Sequence, residues 1–229
     1  MCKIKQIFSF AIPVIAIMAL KVVISGCGSP YVIKELIDFE NIEIGGKPAE
    51  WEFPSNGDWG ITHSGTRVLE QAKSNVNNCA AIIGKDSWKN YTINADIKIE
   101  HSGNCGVIAY WQSDYVNYML VMLNHKRAEL VKREPTGPER YNSLTLDAIP
   151  IQLRKNVWYI FKLEIMNRKS CTYLRGKIWE KGTHEPGTWM LEASDYSVER
   201  YTSGKAGLWT NRYGSSYQGA KFDNFTVKG

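Results

Sequence analysis

Two carboxyl groups can cleave a glycosidic bond when one is protonated, the other is ionised, and both flank that bond at roughly 5 to 9.5 Å. The stretch of this chain nearest to such an arrangement is Asp96-Ile-Lys98-Ile-Glu100, where alternate residues of a strand would share one face. At 3.3 Å per residue Asp96 and Glu100 then stand about 13 Å apart. That is beyond the working range, and a lysine sits between them. Asp96 and Glu100 are the catalytic candidates, but Asp96, Lys98 and Glu100 read first as a solvated, salt-paired strand face. Glu164, Glu180 and Asp195 cannot be paired from spacing alone, so a site assembled across strands stays open. Other chemistries lack their motifs: there is no Gly-x-Ser-x-Gly elbow and no Cys-x-x-Cys pair, and His63, His101, His125 and His184 are scattered singly.

Non-covalent recognition of a sugar asks for less. Sugars present apolar C–H faces rimmed by hydroxyls, so aromatic platforms beside amide and charged side chains suffice. Residues of these types cluster at Tyr110, Gln112, Tyr115, Asn117, Tyr118, Trp179, Trp209, Asn211 and Arg212. Tyr118 and Trp209 lie in strongly apolar runs and read equally as core filling, whereas Tyr115 and Arg212 fall in expected loops.

These residues must be held by strands. Tyr91 to Glu100 alternates apolar and polar without error, as a strand with one face in a core and one in water requires. Gly106 to Trp111 and Tyr118 to Leu123 are short apolar runs that read as a hairpin covered on both faces. Ala128 to Arg133, Trp158 to Ile165, Thr172 to Trp179, Gly204 to Thr210 and Phe222 to Val227 continue the series, with Pro135-Thr-Gly-Pro138 expected as a loop. Eight tryptophans, twelve tyrosines and seven phenylalanines among 229 residues, without long helical periods, favour an all-β chain. About ten short strands predict a two-sheet antiparallel jelly-roll sandwich, the aromatics mostly filling the space between sheets.

The first residues have a different character. Lys3 and Lys5 precede an apolar stretch from Ile7 to Leu20, the pattern of an export signal. Ile24-Ser25-Gly26-Cys27 resembles a bacterial lipobox, which implies lipidation of Cys27 and attachment to a membrane through acyl chains. Residues 1–26 are then signal, 27–35 a tether and 36–229 one folded domain. No acidic residue directly follows Cys27, so inner-membrane retention is not indicated. The formal net charge of +5 falls to +2 once Lys3, Lys5 and Lys21 are set aside, and carries no message of a nucleic-acid partner. Of the five cysteines, Cys79, Cys105 and Cys171 remain, which in an oxidising compartment permits one disulfide.

The order of short motifs resembles the concanavalin A-like lectin/glucanase superfamily, and more narrowly laminin-G-like bacterial jelly rolls and the 3-keto-disaccharide hydrolase-like domains. It runs from Asp38-Phe39-Glu40 and Trp51 through Gly57-Asp-Trp59, Ile82-Ile-Gly84, Trp88-Lys-Asn-Tyr91, Gly106-Val-Ile and Asn117-Tyr118 to Gly204-Lys-Ala-Gly207-Leu-Trp209 and Phe222-Asp-Asn-Phe225. The likeness spans nearly all of residues 36 to 228. It implies the sandwich fold but not one chemistry, because this scaffold hosts lectins, glycosidases and adhesion domains alike. Family-sixteen glucanases of the superfamily carry Glu-x-Asp-x-Glu on one strand, and Lys98 breaks that pattern here. The resemblance further implies that Tyr110, Gln112 and Tyr118 line a concave sheet. It also implies a structural Ca²⁺ where the last strand meets the first, held by Asp223 with Asp38, Glu40 or Asn41. The expectation is an exported, lipid-anchored protein of the bacterial cell envelope, periplasm-facing or on the outer membrane, that binds a glycan or polysaccharide without cleaving it. The alternatives are a glycoside hydrolase similar to the 3-keto-disaccharide family and an envelope structural or adhesion module.

Overall fold

The computed structural model describes residues 35–55, 57–72, 77–100, 103–138, 140–212 and 220–229. Cys27, the expected signal and the expected tether up to residue 34 lie outside them, and Glu35, the last tether residue expected, begins the first strand. Fourteen strands and no helix occur among the described residues: β1 (Glu35–Ile37), β2 (Trp59–His63), β3 (Arg67–Gln71), β4 (Cys79–Ile83), β5 (Tyr91–Ile99), β6 (Gly103–Ser113), β7 (Val116–Leu123), β8 (Arg127–Gly137), β9 (Arg140–Pro150), β10 (Trp158–Asn167), β11 (Thr172–Glu180), β12 (Leu191–Asp195), β13 (Lys205–Arg212) and β14 (Ala220–Lys228). They form an eight-stranded sheet, in the order β12-β11-β10-β5-β14-β3-β2 with β1 beside β14, and a six-stranded sheet, β4-β13-β6-β7-β8-β9. Every pairing is antiparallel, so the jelly-roll sandwich is the fold.

Alternation decides which side chains meet between the sheets. On β5 Tyr91, Ile93, Ala95, Ile97 and Ile99 turn inward and join Phe161, Leu163 and Ile165 of β10 and Phe222, Phe225 and Val227 of β14. From the six-stranded sheet Val107, Leu120, Leu130 and Leu208 meet them. Each of the buried Val, Leu, Ile and Phe side chains contributes about 1.5–3 kcal/mol by leaving water.

Three parts of the fold depart from expectation. Pro135-Thr-Gly137 is not a loop but the end of β8, which runs into a tight hairpin with β9. β9 was not among the expected strands. It is an edge strand exposed over much of its length, so its sequence lacks the apolar alternation that marks a half-buried strand. The cysteines form no disulfide among the described residues, and all three are buried. Cys79 and Cys105 both pair in register with Thr210, on opposite sides of β13. Two strand spacings separate them by about 9.6 Å, beyond the roughly 7 Å a disulfide can bridge.

Candidate functional site

The six-stranded sheet has a second apolar cluster on its outer face. Ala80 and Ile82 of β4, Ile108 and Trp111 of β6, Met119 and Val121 of β7, Val131 of β8 and Trp209 of β13 pack side by side there. These residues alternate with the inward ones, so the sheet is apolar on both faces. A hollow of about 190 Å³ opens on this side, floored by Met119, Val121, Val131 and Trp209 and rimmed by Asn104, Glu129, Arg133, Tyr141, Ser143 and Asn211.

One rim is a stack. Tyr115, in the turn between β6 and β7, stacks on Tyr141 of β9 with ring centroids 5.6 Å apart and planes 28° from parallel. The Arg133 guanidinium sits 4.6 Å from the Tyr141 ring and 5.0 Å from that of Trp209. A flat cation between two π faces is favoured electrostatically and is held in one plane. Asn78, in the left-handed conformation just before β4, fastens the inner end. Its Oδ1 accepts from Trp209 Nε1 at 2.8 Å and from Arg133 Nη1, while its backbone N–H donates to Asn211 Oδ1 at 3.1 Å.

Arg133 is 3% exposed, and burial pushes its guanidinium down from the ordinary arginine range, against the opposing pull of Tyr141 and Asp114. Its Nη1 also donates to the Asp114 backbone oxygen at 3.1 Å, and its Nε has no partner. The Asp114 carboxyl receives Trp111 Nε1 at 3.3 Å, and burial raises its pKa. Across β7 from Arg133, Asn117 donates to the Ser113 carbonyl and leaves its buried Oδ1 without a partner. At the other rim Glu129 binds Arg127 at 2.7 Å and accepts from Thr145 Oγ1 at 2.9 Å.

Several residues singled out by type sit together here, and others do not. Trp209 and Asn211 line the hollow, and Tyr115 stacks on the rim residue Tyr141, whereas Asn117 is buried beside Arg133 as its register partner and does not line the hollow. Neither does Tyr110. A β-bulge in β6 turns both Ala109 and Tyr110 inward, with Tyr110 at φ +48° and 0% exposed. Its N–H donates to Tyr91 Oη at 2.7 Å, its own Oη accepts from Asn90 N–H, and burial raises its hydroxyl to about 12. Tyr118 is also interior: its hydroxyl donates to Asp195 Oδ2 at 2.6 Å, and burial pushes its pKa far up. Both are corrections to a placement on the open sheet. Gln112 is exposed and donates to the Ser203 carbonyl at 3.2 Å, beside the cluster rather than in it. Arg212 closes β13, and its side chain lies outside the described residues. Trp179 pairs with Ile160 on the outer face of the other sheet. Arg133, Tyr141 and Glu129 carried no sequence signal. They come together only through the registers Arg133↔Asn117 and Val121↔Glu129 and the β8–β9 hairpin.

The carboxylate candidates lie on the outer face of the eight-stranded sheet. Lys98 stands between Asp96 and Glu100 and pairs with Glu100 at 3.4 Å. Burial works to raise the Glu100 carboxyl, but Lys221 and then Lys98 outweigh it and hold it down. Asp96 has a different neighbour, Asp223, its register partner on β14. Asp96 Oδ2 takes Lys181 at 2.6 Å and Asn224 Nδ2 at 2.8 Å, while Asp223 accepts from Thr66 Oγ1 and from the Asn224 N–H. Burial first, and Asp96 second, raise the Asp223 pKa. Asp38 is exposed, and its Oδ1 accepts the Glu40 N–H at 3.2 Å. No group of three or more Asp, Glu, His or Cys side chains converges among the described residues.

No protein-family model matches the chain, and no curated protein matches it. Among solved structures it is similar to a mutant GH43 protein from Bacillus licheniformis, at 14% identity and TM-score 0.59, covering 85% of this chain and 39% of that one. A xylan β-1,4-xylosidase from Bacillus halodurans is similar at 15% identity and TM-score 0.56, over 90% of this chain and 41% of that one. Lectin II from Ulex europaeus is similar at 7% identity and TM-score 0.52, over 87% of this chain and 99% of the lectin. The chain thus spans about two fifths of the length of the two bacterial proteins. At these identities the likeness is one of fold, the concanavalin A-like sandwich that the motif order implied.

Proposed function

We propose that the hollow on the outer face of the six-stranded sheet binds a carbohydrate and does not cleave it. The observation that supports this most is the stack Tyr115, Tyr141, Arg133 and Trp209 beside an apolar floor and the amides Asn104 and Asn211. Ring faces match the C–H faces of a sugar, and the amides and guanidinium match its oxygens. Among the described residues Glu129 is the one carboxylate lining the hollow, and it is engaged by Arg127 and Thr145. A glycan array on residues 28–229, run with calcium and with chelator, tests the reading. Binding by a defined set of glycans, lost in Trp209→Ala, is expected. A silent array together with release of reducing ends from polysaccharides would favour a hydrolase instead.

The hydrolase reading has its own support in the juxtaposed Asp96 and Asp223, since a pair of neighbouring carboxyls, here with the Asp223 pKa raised, is what glycoside cleavage needs. Reducing-end assays with Asp223→Asn beside the wild type test it. An envelope adhesion module is the third reading, favoured if neither assay responds. A structural calcium at the β1–β14 junction is a separate proposal, tested by the thermal midpoint with and without chelator in the wild type and Asp223→Asn.

Attachment to the cell envelope through a lipid on Cys27 completes the proposal. It rests on Lys3, Lys5, the apolar stretch and Ile24-Ser25-Gly26-Cys27. Replacing Cys27 by Ser is expected to abolish incorporation of labelled fatty acid, and continued labelling would remove the anchor from the account.

A further inference from the structure

A buried guanidinium ordinarily has a carboxylate beside it, because an unpaired charge in a protein interior costs several kcal/mol. Arg133 does not have one: among the described residues no carboxylate lies within ion-pair distance of it. Lys132, the next residue along β8 and equally buried, pairs with both Glu134 and Asp195. What Arg133 touches is neutral: the Asn78 amide oxygen, the Asp114 backbone oxygen and the faces of Tyr141 and Trp209. Both of those bonds come from Nη1, and Nε makes none.

We propose that the hollow takes an acidic sugar unit whose carboxylate pairs with the Arg133 guanidinium in its rim. This rests on the reading of the hollow as a glycan site and names the class of glycan. The planar fork of arginine matches a carboxylate with two parallel N–H···O bonds. Tyr141 and Trp209 pack against that fork, and the burial of Arg133 lowers the effective dielectric around it, which strengthens the pairing. Glu129, the carboxylate on the opposite rim, is neutralised by Arg127 and so does not repel such a ligand. The Asp114 carboxyl is engaged by Trp111 and acts on Arg133 only from beyond ion-pair distance. The volume of about 190 Å³ is below the roughly 300 Å³ of sites for drug-sized ligands, and suits one uronic acid ring rather than a buried chain.

The test compares neutral glycans with their uronic acid counterparts of the same linkage on one array, followed by calorimetry of the best pair. The acidic member is expected to bind at least tenfold more tightly, to weaken as salt rises from 50 to 500 mM, and to lose that margin on methyl esterification, which leaves the protein untouched. Arg133→Lys keeps the charge without the fork and is expected to lose most of the margin. Equal binding of neutral and acidic partners, or indifference to esterification, would overturn this inference while leaving the glycan reading in place. Silence across the whole array would overturn both.

Discussion

Arg133 of β8 and Trp209 of β13 are three strands apart in the sheet, yet both donate to the same atom, Asn78 Oδ1, with the guanidinium 5.0 Å from the indole ring. One short side chain before β4 therefore ties the floor of the hollow to its charged rim. The arrangement holds Arg133 and Trp209 in position before any ligand arrives, so little side-chain entropy remains to be lost on binding.

Trp209→Phe keeps most of the apolar floor and removes the Nε1 donor. The lost hydrogen bond and the smaller ring are expected to cost about 1–2 kcal/mol of stability, and any sugar affinity should fall with it. Urea unfolding and calorimetry measure the two effects, and unchanged values in both would deny Trp209 its place in the site.

Tyr141 is half-buried on the edge strand β9, where its ring covers Arg133 and stacks on Tyr115. Tyr141→Ala should therefore shift stability by about 1 kcal/mol or less beyond the loss of the ring contacts while reducing glycan affinity by roughly tenfold, about 1.4 kcal/mol. A large drop in melting temperature with intact binding would reverse that assignment.

Asp195 lies between Lys132 and Tyr118, at 2.9 and 2.6 Å. Burial acts to raise its carboxyl, but hydrogen bonds from Tyr118, Lys132 and Ser197 outweigh it and bring the pKa down to about 2. A depressed carboxyl pKa stabilises the fold above its unfolded value near 3.9, and that contribution is lost as pH falls toward 2. The melting temperatures of wild type and Asp195→Asn should differ at pH 7 and converge over this window. A difference independent of pH would show that the ion network is not what Asp195 supplies.

Asp223 has the opposite sign. Its pKa is raised, by burial first and by Asp96 second, so its contribution is complete below the unfolded value and declines as pH rises through the folded one. Asp223→Asn keeps an acceptor for Thr66 and removes the repulsion from Asp96. It is expected to raise the melting temperature at pH 7 and to leave it nearly unchanged near pH 3; a fall at pH 7 would mean that the ionised carboxyl is needed.

Gly106 faces the backbone of β7 so closely that a methyl group would strike the Leu120 carbonyl. Gly106→Ala is thus expected to break pairing between β6 and β7 locally, with accelerated amide exchange across Val107 and Leu120. Undisturbed exchange would mean that the strands can part without cost.

The sequence by itself determined the strands that have one face in the core. Tyr91 to Ile99, Trp158 to Ile165 and Phe222 to Val227 alternate because one side of each must be apolar and the other need not be, and that regularity is local. The tertiary structure decided the rest. A single bulge at Ala109 and Tyr110 reversed the facing of Tyr110, since one extra residue shifts every later side chain by half a period. β9 was hidden because an exposed edge strand has no apolar side to reveal. The stack of Tyr115, Tyr141, Arg133 and Trp209 joins residues far apart in the chain through strand register, and register depends on hydrogen bonds between strands that no single stretch of sequence encodes.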